Sequence, residues 1–294
     1  MGPVGLQLKF NLILAACFLF GLLLSSLIFY QLSRREALEQ LQAQIDVLRA
    51  QALSIRRYTS EEIQPLLADQ STVQFLPQTV PSFSAQTVFR NFRERYPQFF
   101  YKEAALNPTN PSDQAKDWEL ELLENLRRNP AIDRDVRIRN TENGTFYTAT
   151  YPLVIRNADC LACHSTPEKA PPSLVALYGP KNGFGWKMNE TVAAQIISVP
   201  MSDADAKIWK SFILFISITS GIFLGLLVLL DFMLYKLVIF PVRKMATTAE
   251  SVSMGDESAP EYQYTAADEV GSLSKSFNRM RRSLDSAMKM LESS

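Results

Sequence analysis

"DVRIRNTENGTFYTATYPLVIRNADCLACHS", Asp135 to Ser165, is the stretch on which the reading of this chain turns. Its first part holds two alternating runs, "DVRIRN" and "TFYTATYPLVI", rich in aromatic and β-branched residues, on either side of "TENG". Such runs separated by Asn143-Gly144 predict a β-hairpin. Directly after the hairpin come Cys160, Cys163 and His164, two of the chain's three cysteines and its single histidine within five residues.

Working outward, the spacing predicts a helix over residues 84–96 and a strand at "FFYKEAAL" (Phe99 to Leu106). Pro108 and Pro111 force a turn at the end of that strand. "SDQAKDWELELLENLRRN" reads as a helix capped by its leading Ser or Asp. "AAQIISVPM" (Ala193 to Met201) is a last strand. On the N-terminal side Leu38, Leu41, Ile45, Leu48, Ala52 and Ile55 recur at 3-4-3-4-3, a heptad stripe on one helix. The stripe must pack on a partner helix or on the domain itself. It ends near "RRYTSEE", where Thr59 or Ser60 is placed to cap a new helix ahead of Glu62.

Two apolar runs flank this middle segment. "FNLILAACFLFGLLLSSLIFY" (Phe10 to Tyr30) carries no charge, and "SFILFISITSGIFLGLLVLL" (Ser211 to Leu230) continues past Asp231. Each is long enough to cross about 30 Å of hydrocarbon as a helix, and Tyr30 and Trp209 suit the headgroup level. The first has only Lys9 ahead of it, is too long for a signal peptide and is followed by no small-residue cleavage pattern, which predicts an uncleaved anchor. We expect helices at 10–30 and 209–235, a domain at 31–208 and a tail at 236–294. Arg34 and Arg35 after the first run compete with Lys236, Arg243 and Lys244 after the second, so positive charge does not orient the chain. Lys and Arg number 30, as do Asp and Glu, which gives no reason to expect nucleic acid as a partner.

Cys160-Leu161-Ala162-Cys163-His164 has the spacing for covalent attachment of one c-type haem. Two thiols three residues apart can each add to one vinyl group of the same porphyrin, and the next residue offers its imidazole to the iron. We therefore expect haem c, with Cys160, Cys163 and His164 as cofactor-binding residues and His164 as the metal ligand. A redox disulfide would want a βαβ context, and a closed zinc site would want a fourth ligand. The opposite axial position has two methionine candidates, Met188 and Met201, with water or no ligand as the alternatives. Cys17, inside the first run, reads as a small apolar residue. Arg49, Arg56, Arg57, Lys181 and Lys187 are candidate partners for the haem propionates. Gly179, Gly183 and Gly185, beside Tyr178, Phe184 and Trp186, would allow close approach of backbone and rings.

"KEAALNPTNPSDQAKDWE", "CLACHSTPEKAPPSL", "YGPKNGFGWKMNE" and "AAQIISVPM" together resemble the bacterial c-type haem sensory domain family that precedes HAMP, kinase and chemoreceptor modules. The resemblance covers roughly residues 35–205 and implies a PAS- or Cache-like fold with haem held through Cys160, Cys163 and His164. Some members of that family draw a second axial ligand from the N-terminal helix. Residues 36–58 here contain no Cys, His or Met, so that ligand does not carry over.

In the tail, Val242, Met245, Ala249 and Val252 follow Pro241, and Val270, Leu273, Phe277, Met280 and Leu284 follow a connector with Gly255 and Pro260. Two short heptad helices with Pro241 at the start and Asp268-Glu269-Val270-Gly271 at the second helix resemble a HAMP domain. Their seams predict a parallel four-helix bundle between two chains. HAMP domains work in the cytoplasm, which would put the haem domain outside. The fold class expected is α+β: a membrane protein with two transmembrane helices, a PAS-like antiparallel sheet and a helical coiled-coil tail.

The expected function is a membrane-anchored haem sensor that turns a redox or small-ligand change into a HAMP signal. It is expected to act as a homodimer through HAMP and the N-terminal heptad helix. With no effector module before Ser294, output would pass to a partner such as a histidine kinase. A tethered electron-transfer cytochrome is the alternative. A catalytic haem is disfavoured, because the single histidine is the expected iron ligand and none remains for acid-base work.

Overall fold

A computed structural model describes residues 5–254, 256 and 260–292. The connector glycine Gly255 and Ser294 lie outside the described residues. The chain divides into two compact units, residues 30–210 and residues 1–29 with 211–294.

The first unit is built on a four-stranded antiparallel sheet of order β1-β4-β3-β2: β1 is Phe100–Ala105, β2 Asp135–Thr141, β3 Gly144–Val154 and β4 Thr191–Pro200. The predicted hairpin is β2–β3, but its tip is one residue earlier than expected. Thr141 pairs with Gly144, so Glu142 and Asn143 form the turn and Gly144, at φ +114°, opens the next strand. The Thr141 hydroxyl fixes this tip by donating to the Gly144 carbonyl at 2.9 Å and accepting from Asn143 N–H at 3.2 Å.

Strand alternation sorts the side chains onto two faces. On one face Tyr101, Tyr147, Ala149, Tyr151, Ile197 and Val199 meet Leu41, Ile45, Leu48 and Ala52 of α1 (Leu6–Tyr58), and Ala85 and Phe89 of α2 (Pro81–Arg95). On the other, Ala104, Ala194 and Ile196 meet Leu122, Leu123 and Leu126 of α3 (Trp118–Arg128). The α1 stripe is thus covered by its own sheet. That corrects the expectation that it serves a homodimer: Ile45 and Ala52 are 0 % exposed within one chain and have nothing left to offer a second.

Two helix boundaries also differ from expectation. Thr59 caps nothing; its hydroxyl donates back to the Ile55 carbonyl at 2.8 Å, and α1 runs on through a π-helical turn, Thr59–Ile63. Pro65 explains the turn, because its missing N–H and bulky ring spoil the regular ladder two residues past Ile63. Helix α3 begins at Trp118 rather than at Ser112 or Asp113. The intervening residues pair with β1 instead, where Ala115 N–H donates to the Ala105 carbonyl at 2.9 Å.

The second unit holds the two apolar stretches, whose most apolar windows are 0 % buried. Within it α1 meets α6 (Ser202–Leu234) through stacked Phe18–Phe223 and Phe29–Phe215, centroids 3.6 and 4.4 Å apart. Asp231, the charge that interrupts the second run, accepts from Gln7 Nε2 at 2.8 Å and Asn11 Nδ2 at 3.1 Å. A second π-helical turn, Tyr235–Ile239, again ends two residues before a proline, Pro241. Helices α7 (Phe240–Ser253) and α8 (Glu269–Glu292) come next. Asp268 caps α8 through Gly271 N–H at 2.8 Å, and a Cβ on Gly271 would run into the Ala266 carbonyl. Ser274 Oγ and Asn278 Nδ2 hold the Tyr262 carbonyl at 3.1 and 2.7 Å. Leu273, Met280 and Leu284 remain exposed.

Candidate functional site

Strand β3 ends at Val154, and Cys160–His164 forms a single helical turn, α4, just beyond it. The two cysteines are free and half-buried, three residues apart on that turn, so they share one face. Burial, and then the neighbouring Cys160, push the Cys163 thiol above its ordinary range, which keeps it protonated at neutral pH.

His164 is held on three sides by the loop that runs from α5 (Pro172–Tyr178) to β4. Its Nδ1 lies 2.7 Å from the Gly183 carbonyl. A carbonyl oxygen only accepts, so Nδ1 carries the proton and Nε2 keeps its lone pair. The Trp186 ring stacks on the imidazole at 3.8 Å and 11°, fixing its rotation, and Trp186 N–H donates to the His164 carbonyl at 3.2 Å. Burial lowers the His164 pKa, against the opposing pull of the Gly183 carbonyl, so the ring stays neutral. A neutral imidazole with one nitrogen anchored to backbone is the form that ligates a metal through the other.

Gly183 has a local reason to be glycine. It sits at φ +84° and a Cβ there would collide with Thr109 in the turn after β1. The Thr109 and Ser165 hydroxyls are both buried without a hydrogen-bond partner among the described residues. Two free thiols on one turn, a neutral anchored imidazole beside them and two unsatisfied hydroxyls fit the demands of a porphyrin with an iron and carboxylate arms.

The other sequence candidates scatter. Met201 lies in the core under α1, just past the far end of β4, while the CxxCH turn leaves the sheet next to the start of β4. The length of β4, about 3.3 Å per residue, separates them, so Met201 is not an axial ligand. Met188 is 43 % exposed and two residues from Trp186, on the loop that already holds His164. Arg56 is ion-paired with buried Glu103, and Arg57 with Glu61 at 3.0 Å. Arg49 lies over the Tyr151 ring at 3.9 Å. Lys181 and Lys187 are exposed near the site. Sequence reasoning missed the Arg56–Glu103 pair, in which Glu103 also accepts from Tyr101, whose hydroxyl in turn accepts from Gln195. Burial raises the Tyr101 pKa and keeps that phenol a donor.

Comparison with known proteins places these elements. The Tll0287-like family model matches residues 34–200, and the HAMP domain model matches residues 234–286. The crystal structure of the cyanobacterial heme-protein Tll0287 is similar over 54 % of this chain and 94 % of that one, at 14 % identity and a TM-score of 0.42. No curated protein matches. The chain belongs to the Tll0287-like family, with a HAMP domain following along the sequence.

Proposed function

We propose that this chain is a membrane-anchored c-type haem sensor. Cys160 and Cys163 would hold the porphyrin through their thiols, and Nε2 of His164 would ligate the iron. The observation that carries this reading is the His164 Nδ1 contact with the Gly183 carbonyl, which leaves Nε2 as a free lone pair one residue after the second thiol. The family takes its name from a protein described as a heme-protein. When bound, such a group would supply a redox couple and a place for a small ligand.

The chain's own residues supply the route outward. Trp186 and Gly183 tie His164 to the loop ahead of β4; that loop is joined to the end of β3 where Asn189 N–H donates to the Ile155 carbonyl at 2.8 Å and Ile155 N–H donates to the Glu190 carbonyl at 3.0 Å. Strand β4 leads through Met201 directly into α6. A shift of His164 therefore moves the start of the strand that feeds the second apolar helix. We read residues 10–30 and 209–235 as membrane spans, residues 31–208 as a PAS-like extracytoplasmic domain and residues 236–294 as a cytoplasmic HAMP module. The exposed α8 seam supports a homodimer, whose two packings pass the signal to an effector such as a histidine kinase. A few kcal/mol of differential stability is enough to bias such a pair of states. The HAMP domain favours this reading over a tethered electron carrier, which has no use for a helical relay.

The test is a reduced pyridine haemochrome spectrum of the full chain made with a working haem-attachment system, beside a haem-stained denaturing gel. The expected result is colour that stays with the chain, a spectrum of two saturated vinyl groups, and loss of both in Cys160→Ser/Cys163→Ser. A colourless wild-type chain overturns the proposal.

A further inference from the structure

Away from the CxxCH site, an open groove of about 400 Å³ runs between α1 and the start of β2. Gln31, Arg34, Leu38, Gln42, Arg134 and Tyr147 line it, together with the Arg35–Glu39 pair. We propose that this groove binds the headgroup phosphate of an anionic phospholipid.

Three features of the groove point to that ligand. The first is charge: three arginines face one glutamate. Glu39 is taken by Arg35 at 3.0 Å, which leaves Arg34 without an ion-pair partner among the described residues. Arg134 reaches the same groove from β2's leading end, and its charge pulls the Tyr147 pKa down against the larger upward push of burial. Of the nearby acids, Asp135 pairs with Arg137 at 2.8 Å, while Asp46, which accepts from Gln42 at 2.8 Å and Tyr151 at 3.1 Å, stands beside the groove as a second acid against its three arginines. A guanidinium is the side chain best shaped to clasp a phosphate with two parallel bonds.

The second feature is the floor. Leu38 is half-buried against the core, and Tyr147 is 9 % exposed with its hydroxyl held by Gln42 at 3.1 Å. A cationic rim over an apolar floor suits an amphiphile, whereas a free inorganic anion has no group for the floor. The third is depth. Arg34 stands four residues past Tyr30, where the uncharged run ends, and four residues of helix rise about 6 Å. That is the level of lipid phosphates when the run spans a bilayer.

The assignment rests on the two apolar helices being membrane spans and is independent of the haem. The test uses the full chain in neutral detergent, titrated with water-soluble short-chain phosphatidylglycerol and followed by native mass spectrometry. Arg34→Gln/Arg134→Gln is compared with Arg90→Gln/Arg95→Gln, which makes the same charge change at exposed positions on α2. The groove variant should bind at least tenfold more weakly, the control variant like wild type, and short-chain phosphatidylcholine weakly to all three. Equal binding by the two variants overturns the groove. Displacement of the lipid by inorganic phosphate at comparable concentration overturns the lipid assignment in favour of a free anion. Membranes washed in alkaline carbonate separate the underlying reading: a chain that washes off overturns the spans and the lipid site together, and a chain that stays leaves the variants to decide.

Discussion

Helices α1 and α8 carry the same 3-4 spacing of apolar residues, yet only one stripe is covered. In α1, Leu41, Ile45, Leu48 and Ala52 are at most 8 % exposed, packed on the sheet of their own chain. In α8, Leu273, Met280 and Leu284 are 50 %, 64 % and 51 % exposed. The polar side of α8 is the packed one, with Ser274 and Asn278 against the connector. A heptad pattern therefore states that something must cover the seam and leaves open whether it is the same chain. In α1 the sheet supplies the cover; in α8 a second copy of the chain is the cover we propose.

The sharpest way to break this contrast is to truncate one residue in each stripe. Ile45→Ala removes a fully buried side chain between α1 and β4 and should cost about 3 kcal/mol of domain stability. Leu284→Ala should cost the same domain less than about 0.5 kcal/mol, as an exposed change does, while lowering the yield of a chemically crosslinked dimer several-fold. Chemical unfolding followed by near-ultraviolet dichroism reads the first, and crosslinking in native membranes reads the second. An Ile45→Ala chain that melts like wild type, or a Leu284→Ala chain that crosslinks fully, undoes the distinction.

The next effect in size lies at the outer end of the α1 stripe. Glu103 is 3 % exposed, accepts from Tyr101 and is paired with Arg56 from α1. Arg56→Met strands that carboxylate, and a cost of about 2 kcal/mol is expected, below the usual range for a buried pair because Arg56 is partly exposed. Adding Glu103→Gln should recover most of the loss, since an amide needs no counter-charge. A double variant as unstable as the single would mean that the loss comes from the packing of the Arg56 stem rather than from the stranded carboxylate.

Much of this was legible in the sequence, for reasons that separate what was read from what was missed. The hairpin, the last strand, both apolar helices and both heptad stripes are local patterns, and local patterns survive without knowledge of the fold. Asn143-Gly144 marked the hairpin but misplaced its tip, because glycine serves equally at the turn and just after it. Thr59 looked like a cap because its hydroxyl bonds backbone in either role; only the continued helix decides. Met201 was a ligand candidate by composition and is excluded by its place at the far end of β4. Glu103 sits in "FYKEAA", where nothing announces a partner 47 residues earlier. At the site, the spacing of Cys160, Cys163 and His164 was plain, whereas the contact that anchors His164 closes a loop 19 residues long and had no local sign beyond the glycines.

The smallest effect concerns that anchor and should separate the two helices once more. His164 is the chain's single histidine, and burial holds its pKa below the ordinary value. The unfolded chain, with a histidine near pKa 6.5, then binds the proton more readily than the folded one. Stability is therefore full above about pH 6.5 and falls as the pH drops toward the lowered native value, by at most about 1.4 kcal/mol per pH unit. Asp113, raised by burial, acts with the opposite sign across a window that starts at the ordinary carboxylate range. Subtraction isolates the histidine: in the haem-free Cys160→Ser/Cys163→Ser background, adding His164→Asn should remove the fall in stability below about pH 6.5. The α8 seam contains no histidine, so dimer crosslinking should stay level over the same interval. Glu168, whose carboxyl is held low by hydrogen bonds, adds a fall of the same sign only in the carboxylate range. A slope just below about pH 6.5 that His164→Asn leaves unchanged would therefore show that His164 does not fold in the neutral state, and with it would go the free Nε2 on which the proposed iron ligation depends.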